Sequence, residues 1–529
     1  MNTAEILTQG RAVLGIEFGS TRVKAVLITP EGTPVASGDY TWQDTLENGV
    51  WTYSLQQVKE GLAACYHSMK EQVRAEYGVT LRRIGAMGVS AMMHGYLPFD
   101  DQMRLLTPFR TWRNTITGPA AQALTELMDF NIPQRWSIAH LEQAVMNGEE
   151  HVKDIRFLTT LAGYVHWLLT GQKVLGVGDA SGMFPIDSAA MSWDAARLAA
   201  YDAHLAGKGY PWKLEEILPK VLPAGAPAGT LSAEGAALLD TEGDLEPGCP
   251  LCPPEGDAGT GMTATNAVKE RTGNVSAGTS IFAMVVLEKP LDRVHEEIDI
   301  VTTPTGKPVA MVHCNTCTSD LNAWAGLLRQ AAELFGASVS TGEMYTKLFE
   351  AALASAPDAD ELISFNYFSG EPVTHTDKGA PMLTRRADRS LSLPAFMRAQ
   401  IYSAVAALSI GMEILTGDEK VAIDAILGHG GLFKTPVVGQ RLLAAALNVP
   451  VTVMQTAGEG GAWGMAVLAA YLLDAGGLPL EDYLAQKIFA GLPGSTLAPD
   501  AEETAGFRKW LAAYKACLPA ERAVAEALA

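Results

Sequence analysis

A strand–turn–strand pattern occurs twice in this chain of 529 residues, once near the start of each half. Residues 12–28 contain an apolar run, a Gly-Ser-Thr turn and a second apolar run, and residues 273–286 repeat this order around Gly-Thr-Ser. Apolar runs on both sides of a glycine turn predict a β-hairpin. We interpret the two copies as a duplicated domain, and the alternative is chance repetition of a common turn.

The length of the chain also favours two domains, because a single hydrophobic core stops growing at roughly 250–300 residues. Helical periodicity follows the first hairpin at Leu55–Tyr77 and returns at residues 396–416, where Gly417 predicts the end of the helix. Strands and helices that alternate in this way predict an α/β fold. We divide the chain into domains 12–268 and 269–529.

The second half closes with further strand and helix signals. Residues 422–427 predict a strand that ends in the glycine-rich turn 428–431, and Val451–Met454 predicts the next strand. A helix is expected from about residue 436 to 447. Residues 503–528 predict a helical tail without chemistry of its own.

The charge balance argues for small-molecule partners. The chain has 59 acidic and 39 basic residues, for a formal charge of −20. Nucleic acid and anionic membranes require clustered Lys and Arg, so we expect neither as a partner. Residues 1–11 lack the pattern of a signal peptide, and the apolar run 462–473 is too short to span a bilayer. We expect a cytoplasmic enzyme, with a homodimer as the assembly left open.

Two C-x-x-C pairs, Cys249 with Cys252 and Cys314 with Cys317, raise the question of a zinc site. Pro250 and Pro253 lie in or next to the first pair, and proline disfavours the tight turn of a zinc knuckle. Buried thiols in apolar segments are the other interpretation, and we prefer it. The sequence therefore predicts that these cysteines bind no metal.

Glycine-rich turns follow several predicted strands. Such turns expose backbone N–H groups, and glycine lets the backbone approach a phosphate closely. The four turns are Gly19-Ser20-Thr21, Gly256-Asp257-Ala258-Gly259-Thr260, Gly278-Thr279-Ser280 and Gly428-His429-Gly430-Gly431. Neither a Walker-type loop nor a G-x-G-x-x-G opening a helix after the first strand is present. Turns of this kind in both halves suggest a nucleotide held between two domains.

Asp257 is the most distinctive candidate for chemistry. It lies between glycines at the predicted end of a strand, where a carboxylate can reach a ligand. Phosphoryl transfer uses a carboxylate to orient or deprotonate the attacking hydroxyl. An Asp that caps the next helix is the alternative, and the local sequence does not separate the two.

As an ordered series, the motifs of this chain resemble those of the FGGY carbohydrate kinases. The resemblance extends from Val13 to about Leu473. It implies two ribonuclease-H/actin-like domains with ATP and a sugar bound in the cleft between them. The matching motifs are Leu14-Gly-Ile-Glu-Phe-Gly-Ser-Thr, Met93-His94-Gly95, Gly256-Asp257, Gly278-Thr279-Ser280, Tyr367-Phe-Ser-Gly-Glu-Pro, Gly430-Gly431 and Gly461-Ala462-Trp463-Gly464.

Within that family the chain looks most like the xylulokinase branch, because of Met93-His94-Gly95, Trp112 and the segment that begins at Asp179. The resemblance implies that Asp257 is the catalytic base and that Mg²⁺ lies near Glu17 and Asp257. It implies a sugar pocket lined by Met93, His94, Gly95, Trp112, Asn114 and Asp257. It assigns ATP to Gly19, Ser20, Thr21, Arg22, Gly278, Thr279, Ser280, Gly430, Gly431 and Lys434.

The chain also departs from the family pattern. Glu17 stands where the family usually has Asp, and Arg113-Asn114 follows Trp112 where the family has an Asp two positions on. Residues 137–142 replace the usual Pro-Lys-Leu-x-Trp stretch. The expected reaction is ATP-dependent phosphorylation of a ketopentose, D-xylulose to D-xylulose 5-phosphate. The alternatives are L-ribulose, another ketose or a polyol as substrate, and a non-catalytic actin-like protein that binds ATP and sugar.

Overall fold

The computed structural model describes residues 2–454 and 460–528, which form two compact units. The first unit contains residues 2–268, 300–309 and 460–491, and the second contains the rest. The boundary after Val268 coincides with the predicted one. The prediction placed all of residues 269–529 in one domain, whereas the chain returns to the first unit twice, at residues 300–309 and 460–491.

The helix Gly460–Asp474 explains the second return. It is buried over most of its length in the first unit. A Cβ atom on Gly15 would lie 2.0 Å from the carbonyl oxygen of Ala462, and one on Gly464 would lie 2.2 Å from that of Thr260. Glycines on both surfaces thus let the helix lie directly against its neighbours, a contact between residues far apart in the sequence.

The sheet of the first unit has five strands in the order Glu255–Gly256, Ala86–Ala91, Val13–Phe18, Arg22–Ile28 and Pro34–Thr41. The first three are parallel, and the last three form an antiparallel meander that begins with the predicted hairpin. Phe18 and Gly256 both lie opposite Ala91. The carboxyl ends of the three parallel strands therefore meet at one edge of the sheet.

Six strands of the second unit's sheet run in the order Pro308–Cys314, Ile281–Val286, Thr272–Ala277, Ala425–Gly430, Val451–Met454 and Gly494–Leu497. Thr272–Ala277 pairs antiparallel with the strand that follows it and parallel with Ala425–Gly430. This is the arrangement of Val13–Phe18 in the first unit. The two units share a strand topology, as a duplicated domain should.

The long helices follow their sequence patterns. Leu55–Tyr77 has its predicted bounds, with Ser54 and Gln57 forming a capping box and Gly78 in a left-handed C-cap. The predicted helix 396–416 is Leu393–Glu413 and continues as the π-helical turn Ile414–Asp418. Gly417 lies inside that turn, so it does not end the helix.

The predicted strand 422–427 is Ala425–Gly430, so it includes Gly428 and His429, which were expected in a turn. The parallel ladder with Thr272–Ala277 supplies the hydrogen bonds that local sequence could not reveal. The predicted tail is the helix Ala501–Ala527, which buries Phe507, Trp510 and Tyr514.

Among the described residues one helix, Leu393–Asp418, is long and apolar enough to cross a membrane by length and composition. However, 78% of its apolar window is buried inside the protein. Burial of this kind is typical of a core helix.

The remaining α-helices and strands are 2 to 16 residues long. The other helices of the first unit are Thr3–Thr8, Gly118–Met128, Ser137–Met146, Leu161–Thr170, Val177–Ala180, Ala195–His204, Leu214–Ile217, Ala233–Leu239, Asp257–Ala264 and Leu480–Tyr483. Its short strand pairs are Thr45–Glu47 with Val50–Thr52, Leu97–Phe99 with Phe157–Thr159, Val174–Gly176 with Lys220–Leu222, and Ile186–Asp187 with Ser192–Trp193. Further elements are the helices Ser319–Leu334, Thr341–Ala352 and Val438–Leu447 and the strands Asp299–Thr302, Ile363–Phe365 and Met382–Thr384.

Candidate active site

The shared edge of the three parallel strands brings predicted site residues of the first unit together. Glu17 is the penultimate residue of one strand, Met93 follows the second, and Asp257 follows the third directly. Two hydrogen bonds join these chain ends: Met92 N–H donates to the Phe18 carbonyl at 2.9 Å, and Met93 N–H donates to Asp257 Oδ1 at 3.1 Å. Strand register thus assembles residues that are 240 positions apart in the sequence.

The turn that begins at Gly19 is supported from the protein side. Gly19 N–H donates to the Arg22 carbonyl at 2.9 Å and closes the turn. The indole of Trp42 donates to the Gly19 carbonyl at 2.7 Å, and the Tyr53 hydroxyl donates to the Ser20 carbonyl at 2.6 Å. Ser20, Thr21 and Arg22 are exposed. The predicted phosphate turn is therefore rigid on one side and open on the other.

Asp257 is the first residue of the helix Asp257–Ala264, and Gly256 occupies the cap position. Its Oδ1 accepts from Met93 N–H, and the backbone N–H groups of Ala258 and Asp257 in the first turn of the helix also hydrogen-bond this carboxylate. The side chain is accessible to solvent but set among protein atoms, and this desolvation raises its pKa above the ordinary value. One carboxylate oxygen is fixed by the backbone at an accessible position.

Glu17 is electrostatically coupled to Asp257. Burial, and then the negative charge of Asp257, raise the pKa of Glu17 to about 7. Glu17 Oε2 accepts a hydrogen bond from Ala462 N–H at 3.2 Å, which opposes that shift. A carboxylate whose proton affinity is raised by a second carboxylate also favours a cation between the two.

A magnesium ion fits this pair. Mg²⁺ in phosphoryl-transfer sites is commonly held by one or two carboxylates together with water and phosphate oxygens. Within the described residues there is no group of three or more His, Cys, Asp or Glu side chains that could hold a metal ion. Glu17 and Asp257 would supply two ligands, and the substrate phosphates and water would supply the others.

Two further carboxylates lie behind the site, and the sequence did not single them out as site residues. Glu255 Oε2 accepts from Asp179 N–H at 2.9 Å, and Asp179 Oδ2 accepts from the Thr160 hydroxyl at 2.6 Å. Both are buried, and burial raises the pKa of Asp179 to about 7 and that of Glu255 to about 8. Asp179 Oδ1 has no hydrogen-bond partner among the described residues. Two signals were available in the sequence: Glu255 is adjacent to Gly256-Asp257, and Asp179 begins the segment that resembles the xylulokinase branch.

His94 is held by protein on both ring nitrogens. It is 5% exposed and adopts a positive φ of 70°. Nδ1–H donates to the Gly182 carbonyl at 3.0 Å, which leaves Nε2 to accept from Arg135 Nε–H at 3.2 Å. The contact with Gly182 ties His94 to the segment that begins at Asp179. Recognition of a sugar by His94 stays a prediction.

Asn114 has a structural role in this arrangement. Its Oδ1 accepts from Trp51 N–H and its Nδ2 donates to the Trp51 carbonyl, each at 2.8 Å, so it holds the strand Val50–Thr52. Arg113 lies over the Trp51 ring at 3.7 Å and pairs with Asp44 at 2.9 Å. Trp112 is 38% exposed. The Arg113-Asn114 departure from the family pattern is thus used within the protein, and contact with a sugar stays a prediction.

The predicted ATP residues of the second unit also meet at one sheet edge. Ala277 lies opposite Gly430 in the parallel ladder, so the turn of Gly278, Thr279 and Ser280 is next to the segment that begins at Gly430. Gly430 has a φ of 104°, and a Cβ atom there would lie 2.4 Å from the Ala277 carbonyl oxygen. Glycine is therefore required at this position by both conformation and space.

Gly431 opens the short helix Gly431–Phe433, and Lys434 follows it with an exposed side chain. The four cysteines of the two C-x-x-C motifs are buried free thiols. Cys249 and Cys252 lie in the first unit, and Cys314 and Cys317 lie in the second. The prediction that they bind no metal stays a prediction.

Comparisons with known proteins agree with this architecture. The model of the N-terminal domain of the FGGY family of carbohydrate kinases matches residues 12–243, and that of its C-terminal domain matches residues 273–473. The chain is 24% identical over 381 residues to a xylulose kinase of Escherichia coli (strain K12), which covers 69% of this chain and 71% of the relative.

Solved structures show the fold. A xylulose kinase from Rhodospirillum rubrum has a TM-score of 0.77 at 20% identity, covering 96% of this chain and 99% of that one. A gluconate kinase from Lactobacillus acidophilus has a TM-score of 0.79 at 18% identity, covering 98% and 99%. These likenesses confirm the predicted α/β fold of ribonuclease-H/actin-like domains. The chain belongs to the FGGY family of carbohydrate kinases, sugar kinases that use ATP as phosphoryl donor.

Proposed function

We propose that this enzyme phosphorylates a ketopentose, converting D-xylulose and ATP to D-xylulose 5-phosphate and ADP. The observation that carries the proposal is the meeting of Glu17, Met93 and Asp257 at one edge of the first sheet. The choice of D-xylulose is supported by the xylulose kinases of Escherichia coli and Klebsiella pneumoniae, which are 24% and 23% identical to this chain. We expect the enzyme to be cytoplasmic.

Asp257 is the proposed catalytic base. Met93 N–H donates to Oδ1, and the backbone N–H groups of Ala258 and Asp257 also hydrogen-bond this carboxylate. The exposed side chain would receive the proton of the attacking hydroxyl. As the sugar oxygen forms its bond to the γ-phosphorus, the bond from phosphorus to the bridging oxygen breaks and its electron pair leaves with ADP. A positioned base contributes roughly 10²–10⁴ in rate to such a step.

Glu17 and Asp257 would hold the magnesium ion. When bound, the ion neutralises charge on the phosphate oxygens. The proposed phosphate contacts come from the backbone of the turn Gly19, Ser20, Thr21 and from Arg22 in the first unit. In the second unit, the proposed phosphate contacts come from Gly278, Thr279 and Ser280. Gly430, Gly431 and Lys434 would also contact the nucleotide.

His94 is the proposed centre of sugar recognition, with Met93, Gly95, Trp112 and Asn114 around it. Its Nδ1–H is used by Gly182, and this fixes the orientation of the ring. The ring edge with Nε2 can accept from a donor, and Arg135 is its donor in the described structure. A sugar hydroxyl would share or replace that contact.

The test is a coupled ADP-release assay over a panel of ketopentoses, ketohexoses, polyols and sugar acids. We expect D-xylulose to give the highest kcat/KM, with L-ribulose as the nearest competitor. Gluconate belongs in the panel because a structural neighbour is a gluconate kinase. A higher kcat/KM for any other compound would replace D-xylulose, and absence of turnover on the whole panel would favour a non-catalytic binding protein.

A further inference from the structure

The turn of Gly278, Thr279 and Ser280 depends on a second segment of the chain for its position. Within the turn, Gly278 N–H donates to the Ser280 carbonyl at 2.9 Å. Its other carbonyls are held from outside: Cys317 N–H donates to the Thr279 carbonyl at 2.8 Å, and the Thr318 hydroxyl donates to the Gly278 carbonyl at 2.7 Å. The direction of the turn's free N–H groups therefore follows the segment 314–318, which we term the bracing bend.

The bracing bend is in turn held by a buried carboxylate, Glu371. Its Oε2 accepts from Asn315 N–H at 2.9 Å, and Thr316 N–H also hydrogen-bonds this carboxylate. Its Oε1 accepts from Val373 N–H at 3.3 Å. Glu371 thus joins the bend to its own loop by both oxygens.

Two asparagine contacts complete the attachment. Asn366 Nδ2 donates to the Cys317 carbonyl at 2.9 Å, and Asn315 Nδ2 donates to the Gly370 carbonyl at 2.7 Å. Cys314 and Cys317 are both fully buried, which gives the second C-x-x-C pair a place in the fold. One loop, residues 366–373, therefore binds four groups of the bend: the backbone amides of Asn315 and Thr316, the side-chain amide of Asn315 and the carbonyl of Cys317.

Burial of the Glu371 carboxylate at this position is energetically unfavourable. It is 1% exposed, and burial raises its pKa to about 7 against the opposing effect of the three N–H groups. Removal of a charge from water is unfavourable unless hydrogen bonds replace the solvent. Here they do, and all three belong to backbone whose position matters for the turn or the loop.

We propose that Glu371 is a positioning residue of the ATP site, which acts through the bracing bend on the turn of Gly278, Thr279 and Ser280. The proposal rests on the proposed role of that turn in phosphate binding. Glu371 itself contacts neither phosphate nor sugar in this role. Its loss should change ATP affinity while sugar affinity stays constant.

The experiment compares Glu371→Ala and Glu371→Gln with a matched control, Glu521→Ala. Glu521 is also buried in the second unit and accepts one backbone hydrogen bond, from Ala380 N–H at 2.8 Å. It has no contact with the bend among the described hydrogen bonds. Dissociation constants for ATP, measured by titration without sugar, are combined with the KM values for ATP and for the best sugar of the panel.

We expect Glu371→Ala to raise the Kd and KM for ATP by about tenfold or more, with the sugar KM within about twofold. Glu371→Gln keeps one acceptor oxygen and should give an intermediate value. Glu521→Ala should leave both ligands within about twofold, even where its thermal stability falls as far as that of Glu371→Ala. A difference in ATP affinity between two variants of equal thermal stability would distinguish a positioning role from general destabilisation.

Unchanged ATP binding in Glu371→Ala would overturn the proposal, and so would an equal loss in Glu521→Ala. If Glu371→Ala does not fold, Glu371→Gln decides: weaker ATP binding supports the proposal and unchanged binding overturns it. The titration needs no sugar, so an error in the proposed substrate leaves this result intact. Failure of the unmodified chain to bind ATP would overturn the positioning role together with the proposed function of the turn.

Discussion

The two units share a strand topology but differ in the residues that end their strands. In each, a strand pairs antiparallel with its successor and parallel with a later strand, and a glycine turn follows it. The first unit has Glu17 one residue before the strand end, where the second has Ser276. The first unit thus presents carboxylates at its sheet edge, whereas the second presents glycine backbone.

The physical requirements of phosphoryl transfer account for this difference. A carboxylate repels phosphate unless a cation lies between them, but it can take a proton and bind that cation. Backbone N–H groups attract phosphate without a counter-ion. A duplicated frame could therefore divide the work by changing only the residues that end its strands.

The largest effect that would test this division is expected at Asp257. Asp257→Asn keeps the shape of the side chain and can still accept from Met93 N–H, but it cannot take the hydroxyl proton. We expect kcat to fall by roughly 10²–10⁴. ATP affinity, measured by titration of the same variant without Mg²⁺, should stay within about threefold because the proposed nucleotide contacts of the second unit are unchanged.

A variant that keeps most of its kcat would remove proton chemistry from the first unit. Asp257 would then be better interpreted as a structural acid in the first turn of its helix. An equal fall in ATP affinity and kcat would instead mean that the two units do not divide the work.

Much of this arrangement could be predicted from sequence, and the parts that could not are long-range. The hairpins and Leu55–Tyr77 follow local patterns, so their prediction succeeded. The strand Ala425–Gly430 has glycines that resemble a turn, and only its partner strand makes it extended. Likewise, nothing local indicates that Gly460–Asp474 packs on the first unit.

The site shows the same limit. Glu17 and Asp257 were selected as site residues from motifs. Asp179 and Glu371 also lie in matching segments, but the contacts of Asp179, Glu255 and Glu371 depend on burial and on partners far along the chain. An isolated Asp or Glu in a sequence is most often a solvated surface residue. Asn114 shows the opposite limit: its motif position predicted contact with the sugar, and in the structure its side chain hydrogen-bonds the backbone of Trp51.

A smaller effect, confined to the second unit, is expected for Gly430→Ala. The added Cβ would meet the Ala277 carbonyl oxygen at 2.4 Å in a backbone of positive φ. Strain of this kind costs about 1–3 kcal/mol, which should lower the melting temperature and displace the adjacent phosphate turn. We expect the KM for ATP to rise by about tenfold, with the sugar KM nearly constant.

The matched control is Gly417→Ala. Gly417 lies in the turn Ile414–Asp418 of the same unit, and a Cβ atom there would meet no described atom within 4 Å. This variant should bind ATP like the unmodified enzyme. A rise in the KM for sugar alone, in Gly430→Ala, would contradict the assignment of the second sheet edge to the nucleotide.

The last expected effect is on the pH dependence of stability and concerns the carboxylates behind the first sheet edge. Burial raises the pKa of Asp179 from 3.8 to about 7, so the folded state holds a proton there that the unfolded state releases. Between about pH 4 and 7 this contribution to stability is lost as pH rises, by at most about 1.4 kcal/mol per pH unit. Asp179→Asn removes this titration and should make the pH dependence of stability less steep in that window, where Glu17, Glu255 and Glu371 still contribute.

Hydrogen exchange of the amides in Val13–Phe18, corrected for intrinsic rates, would report the effect, with Thr272–Ala277 as the reference from the second unit. The control is Asp244→Asn, because ion pairing with Lys70 lowers the pKa of Asp244 and places its titration below that window. Asp244→Asn should reduce protection equally at pH 5 and pH 7. If Asp179→Asn does the same, Asp179 is ionised in the folded state. The first unit would then keep an unneutralised buried negative charge on Asp179, beside Asp257. The difference in charge between the two sheet edges would be larger than the raised pKa of Asp179 implies.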